Sequence, residues 1–132
     1  MGFDQYHEPP EELSPATRTF ARMCASLTEE AEAIGWYEQR LAGETDSEAL
    51  AIMRDAQGEE FKHFSMDLEF LLRRTPLWRE IAKGILFQAG DVVEHGEESE
   101  ARATGEDDGG GSSPSADGTG SLGIGGQTGS MR

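Results

Sequence analysis

The sequence predicts an all-α protein: an antiparallel two-helix hairpin followed by a shorter third helix. Three observations carry this expectation. Two long segments repeat their apolar residues at steps of three, four and seven, the period of an amphipathic helix. No segment alternates apolar and polar residues at the period of two that a half-buried strand requires. The links between helical segments are short, and short links make neighbouring helices antiparallel.

Each element follows in order. Residues 1–13 are expected to be extended, because Pro9 and Pro10 oppose a helix. Ser14-Pro15 reads as a helix start, with Ser as N-cap and Pro at the first helical position. The first helix should run to about Leu41, with Gly43 near its stop, and span about 40 Å. The loop "GETDS" follows, and Thr45 and Glu48 stand at capping-box spacing. The second helix should run to about Arg74. Thr75-Pro76 ends it and opens the third, "LWREIAKGILF".

The chain has 132 residues, and its last third does not fit this scheme. From about Gly90 onward it is rich in Gly, Ser, Asp and Glu, too poor in large apolar groups to offset chain entropy. The folded domain is therefore expected over residues 1–90, followed by a disordered C-terminal tail that begins with a flexible acidic Gly/Ser linker at 91–118. So small a core usually needs a metal, a disulfide or oligomerisation. Cys24 is the only cysteine, so an intrachain disulfide is excluded and the other two remain. Cys24 itself reads as a small core residue, and His7 and His95 as surface residues.

Charge narrows the function classes. The formal net charge is −15, with 26 acidic residues against 11 basic ones. That balance argues against nucleic acid and anionic membrane as partners and suits metal cations. Adaptation of the surface to high salt explains the same balance equally well. No apolar run approaches the roughly 20 residues of a membrane span. "MGFDQYHEPP" has no signal-peptide core, so the cytoplasm is the expected compartment.

The apolar stripes hold the chemistry. On the first helix Phe20, Met23, Leu27, Ile34 and Tyr37 form one face, and Glu30 fills its longest gap. On the second, Ala49, Met53, Ala56, Phe64, Asp67 and Leu71 form a similar face, with Glu60 and His63 between them. A single Glu on such a stripe is commonly a residue reaching for its edge. A lone Glu-x-x-His is commonly a solvated pair. Together they say more, because ionised groups in a core must pair or bind a metal. Ferritin-like di-iron sites use a Glu from each of two helices and a Glu-x-x-His from each of two others. One copy of this chain carries half of that set, and two copies would complete it in a four-helix bundle.

The stretch "HEPPEEL…EEAEAIGWYEQR…EEFKHFSMDLEFLLRR…W…LF" resembles the encapsulated ferritins, half-ferritins loaded into encapsulin nanocompartments. The resemblance covers roughly residues 7–88. A separate piece, "TGSLGIGG" at 119–126, resembles the C-terminal peptide that docks cargo on an encapsulin wall. The resemblance implies a ferroxidase, oxidising Fe(II) to Fe(III) with dioxygen at a di-iron centre shared by two chains and supplying mineral storage inside the shell. It puts the ferroxidase ligands on Glu30, Glu60 and His63, with Tyr37 near the centre after Trp36. It puts Glu29 and Glu32 in a secondary metal site, for which calcium and zinc are also candidates. It implies a homodimer built into a ring of dimers, a decamer, inside an encapsulin nanocompartment in the cytoplasm. Ser121, Leu122, Gly123, Ile124 and Gly125 would contact the shell.

Departures from the family pattern are Gly35 before Trp36, Gly58 before the Glu pair, and Phe61 and Phe64 in place of more polar residues. Two other readings stand beside the ferroxidase. A non-catalytic cargo protein could use zinc or calcium to join a helical dimer. A plain two-helix interaction module would leave Glu30, Glu60 and His63 without a purpose.

Overall fold

The computed structural model describes residues 6–105. A single 3-10 turn, Pro10–Glu12, precedes four α-helices: α1 (Pro15–Gly43), α2 (Ser47–Arg74), α3 (Pro76–Ile85) and α4 (Val92–Thr104). No strand occurs among the described residues, so the all-α expectation holds. No described helix is long and apolar enough to cross a membrane.

The start of α1 forms as its sequence implies. Ser14 Oγ accepts from the Thr17 amide at 3.0 Å, and Pro15 opens the helix. The segment ahead of it corrects the expectation of extended chain. Pro10 begins a 3-10 turn closed by Glu12 N–H to Pro9 O at 2.9 Å. A proline is unfavourable inside a helix but suits a first position, where its missing N–H has no partner to lose. Arg18 Nη1 then donates to Pro10 O at 2.8 Å and ties the turn to α1.

The cap of α2 is also corrected. Thr45 does not cap it. Asp46 Oδ1 accepts from the Glu48 and Ala49 amides, both at 2.9 Å. Glu44 Oε1 accepts from the Thr45 and Asp46 amides and braces the loop. Asp is as good a cap as Thr and stands one residue closer to the first helical turn.

The chain divides into two compact units, changing over between Leu71 and Leu72 near the end of α2. In the first, α1 and α2 run antiparallel. Gln57 of α2 reaches Ile34 and Glu38 of α1, whereas Asp67, further along α2, reaches back to Glu30. The buried Gln57 amide donates from Nε2 to Ile34 O at 3.2 Å and to Glu38 Oε1 at 3.1 Å. The core is thin: of the three buried hydrophobics among the described residues, Ala25 and Leu71 belong to this unit and Leu72 to the second. Trp36, Ile52, Phe61 and Met66 leave about half or more of their surface exposed in the single chain.

In the second unit α3 packs on α4. This corrects the reading of 91–118 as featureless linker, since residues 92–104 are helical. Asp91 Oδ1 accepts from the Glu94 amide at 2.9 Å, and Gly105, at φ +85°, ends the helix in the left-handed conformation. The large apolar groups that usually announce a packed helix are lacking. Small ones replace them: Ser99 is buried, and its side chain occupies the space a Cβ on Gly84 would need. Glu94, Glu97, Glu98 and Glu100 of α4 are exposed. Between the helices Phe87 adopts φ +63°, a costly conformation for a bulky residue, with its ring fully in solvent. The remaining expected linker, and the peptide at 119–132, lie outside the described residues.

Two glycines should respond oppositely to alanine. Gly84→Ala collides with Ser99 and should cost about 1–3 kcal/mol. A Cβ on Gly58 meets nothing, and Gly58→Ala should stabilise α2 by up to about 1 kcal/mol. Urea unfolding followed by helical circular dichroism measures both. Equal effects at the two positions would contradict the packing described.

Candidate metal centre

Glu60, His63 and Asp67 stand at steps of three and four, so α2 presents them along one face. They span about 10 Å of helix axis. Opposite them α1 supplies Glu30. One ligand atom from each of Glu30, Glu60 and His63 lies within 4.8 Å of the other two. All three side chains are half-buried, at the edge of the helix pair.

His63 stands between two carboxylates of its own helix. Its Nδ1 is 3.6 Å from Glu60 Oε1 and its Nε2 is 4.0 Å from Glu59 Oε1. Neither distance is a hydrogen bond, so the ring is free to turn toward a ligand. Glu59 is occupied elsewhere, with its Oε1 2.8 Å from Lys62 Nζ.

Negative charge is crowded here. The Glu30 carboxyl is pushed up to about 7, first by burial, then by a hydrogen-bonding contact with Asp67, and further by the charges of Asp67 and Glu60. The His63 charge opposes the rise. Glu30 Oε1 and Asp67 Oδ2 are both sealed from solvent, and neither meets a donor. Three acidic groups thus face one imidazole. A cation supplies what such a group lacks.

The donors fit a metal ion. Two donors at about 2.1 Å from one ion can be no more than about 4.2 Å apart. The observed separations, up to 4.8 Å, need only small side-chain rotations to meet that limit. Carboxylate oxygens with one imidazole nitrogen suit iron, manganese or zinc, and three protein donors leave coordination positions open.

The other expected residues stand apart from this trio. Glu29 is exposed and Glu32 half-buried, and neither joins the group. Tyr37 is half-buried with Arg40 over its ring, 5.1 Å from the centroid, and Trp36 is exposed. Ser121, Leu122, Gly123, Ile124 and Gly125 lie outside the described residues. Sequence reasoning gave no role to two residues that matter here, Asp67 and Gln57. For Asp67 the signal was its step of four from His63 and seven from Glu60. Gln57, three residues before Glu60, gave no comparable sign.

A pH dependence follows from Glu30. Its carboxyl in the fold titrates above its ordinary value, so between about 4.5 and about 7 the folded chain holds a proton that the unfolded chain has lost. This stability is fully present below pH 4.5 and lost as pH rises through 7. The metal-free chain should therefore melt at a lower temperature at pH 8 than at pH 5. Glu30→Gln should flatten the dependence. Melting curves of both proteins in a chelating buffer decide it, and parallel pH profiles would refute the assignment.

Comparison with known proteins agrees with the geometry. The EncFtn-like family model matches residues 5–89. A "Ferritin-like protein" of Thermotoga maritima is 41% identical over 95 residues, covering 72% of this chain and 83% of that protein. An "Encapsulated ferritin-like protein" of Rhodospirillum rubrum is 39% identical over 121 residues, covering 90% of this chain and 84% of that one. A crystal structure of a Nitrosomonas europaea protein superposes with a TM-score of 0.65 at 38% identity, covering 67% of this chain and 98% of that one. With its helix pair, its carboxylate–imidazole trio and these relatives, the chain belongs to the EncFtn-like family of encapsulated ferritin-like proteins.

Proposed function

We propose that the chain is a ferroxidase that oxidises Fe(II) to Fe(III) with dioxygen at a centre shared between two copies. The observation that carries this reading is the meeting of Glu30, Glu60 and His63 within 4.8 Å on one helix pair. Fe(II) is the substrate. Glu30 and Glu60 bind it through oxygen and offset its charge. His63 adds a nitrogen donor that must be neutral to bind. Dioxygen is the oxidant and takes one electron from each Fe(II). A second copy would contribute the same three residues, and a Glu60 carboxylate from each chain would then be shared between two irons. Tyr37, two turns beyond Glu30 on the same helix, would come near the shared centre once two copies meet. Glu29 and Glu32 form an outer carboxylate pair, able to take iron, calcium or zinc on the way in.

The apolar surface of Trp36, Ile52, Phe61 and Met66 supports association with further copies, because a hairpin with so thin a core gains by burying it. We assign the assembly as a homodimer extended into a ring of dimers. The Rhodospirillum rubrum relative is named as encapsulated. On that basis we place this chain inside an encapsulin nanocompartment, held by the peptide at 119–132. Leu122 and Ile124 stand two apart and would fill alternate pockets of an extended site. The lumen would store the Fe(III) that a single chain is too small to enclose.

A second reading uses the same donors without redox chemistry. Zinc takes carboxylate and imidazole ligands and would join two copies as a structural cargo protein. Oxygen consumption on adding Fe(II) separates the two.

Glu60→Ala should slow Fe(III) formation more than about tenfold, since loss of even an outer-shell partner weakens a metal site by that much. His63→Ala should weaken Fe(II) affinity first. Stopped-flow absorbance under air measures the rate, and circular dichroism confirms folding. A folded, assembled Glu60→Ala protein that oxidises at the parent rate would end this reading. Deleting residues 119–132 should abolish capture by a co-expressed cognate encapsulin and leave oxidation intact. Undiminished loading would remove the targeting assignment.

A further inference from the structure

Asp67 belongs to no part of the ligand set given above. It lies on the face of α2 that carries Glu60 and His63, one turn beyond His63, and its carboxyl comes within hydrogen-bonding reach of Glu30 across the helix pair. Its Oδ2 is sealed from solvent, and so is Glu30 Oε1. Neither oxygen meets an N–H or O–H donor. Two sealed carboxyl oxygens without a hydrogen-bond partner are costly, and when both groups are ionised they repel. A folding role would call for the opposite arrangement, a donor aimed at each oxygen. A cation between the two satisfies both at once.

Resting on the metal-centre reading, we propose that Asp67 is a fourth protein donor of that centre, holding the divalent cation jointly with Glu30. The consequence is chemical. With Asp67 included, one chain presents three carboxylates and one imidazole to a divalent cation, a harder and more negative donor set than the trio alone. Such a set favours Fe(II), Mn(II) and Co(II) more than the trio would and binds soft cations less well. Glu30, with two carboxylate oxygens, can face Asp67 on one side and the Glu60–His63 pair on the other.

The test uses Co(II) as probe with the full-length chain, free of oxygen and other metals. Co(II) binding is followed by calorimetry and by the visible absorption of the bound ion. Asp67→Asn keeps the size of the side chain and removes its charge. It should weaken Co(II) binding by roughly 10- to 100-fold and change the visible band. Asp67→Glu should recover part of the affinity and guards against a loss that reflects only misfolding of the Asn variant. Unchanged Co(II) affinity and spectrum in a folded Asp67→Asn protein overturns the proposal, even if its metal-free melting temperature moves. Glu60→Ala is measured alongside. If Glu60→Ala loses Co(II) and Asp67→Asn does not, the trio stands and only the fourth donor fails. If neither variant changes Co(II) binding, or the parent chain binds none, the metal-centre reading fails with it.

Discussion

The side-chain amide of Gln57 is the constraint on which this chain's chemistry depends. It is buried between α1 and α2 and gives its hydrogens to the Ile34 carbonyl and the Glu38 carboxylate. A buried amide left without acceptors costs roughly 1–3 kcal/mol, so the two helices are pinned where both acceptors are in reach. Ile34 lies one turn after Glu30, and Gln57 nearly one turn before Glu60. A slip of one residue on either helix would turn its ligands by about 100° away from the other's. The clamp therefore sets the register that lets Glu30 of α1 meet Glu60 and His63 of α2.

What the clamp brings together resists being together. Glu30, Glu60 and Asp67 place negative charge at the edge of a core whose fully buried hydrophobics are few. Hydrophobic burial in one chain offsets this poorly, while the apolar side chains on the outside of the hairpin stay uncovered. A cation would remove part of this cost by charge, and a second copy would remove part by burial. Under the proposed function, metal binding and association would both be coupled to folding.

Much of this was legible in the sequence. The long helices came from apolar periodicity, and Glu30, Glu60 and His63 from polar groups interrupting it. Their convergence followed because short loops make helices antiparallel. Other features were hidden for physical reasons. Thr45 and Asp46 can both cap, and only the bend of the loop, set by Glu44, selects Asp46. α4 buries Ser99 against Gly84, a contact of small groups with almost no hydrophobic signature. Asp67 was placed on the right face but could gain meaning only from Glu30 on another helix. Gln57 looks like any polar helical residue until its acceptors are known. The family was identifiable from "WYEQR" and the Glu-x-x-His, and the related proteins agree.

The exposed glutamates of α4 have a collective consequence. Glu94, Glu97, Glu98 and Glu100 are exposed and contribute to a net charge of −15 per chain. Wherever many copies gather in a small volume, that fixed charge sets up a Donnan equilibrium. Mobile cations accumulate, and a divalent ion is enriched as the square of the factor for a monovalent one. Free Fe(II) would then be concentrated around the helices before it touches any ligand. The same partitioning excludes small anions and makes local pH lower than that of the bulk. Added salt collapses all three effects together.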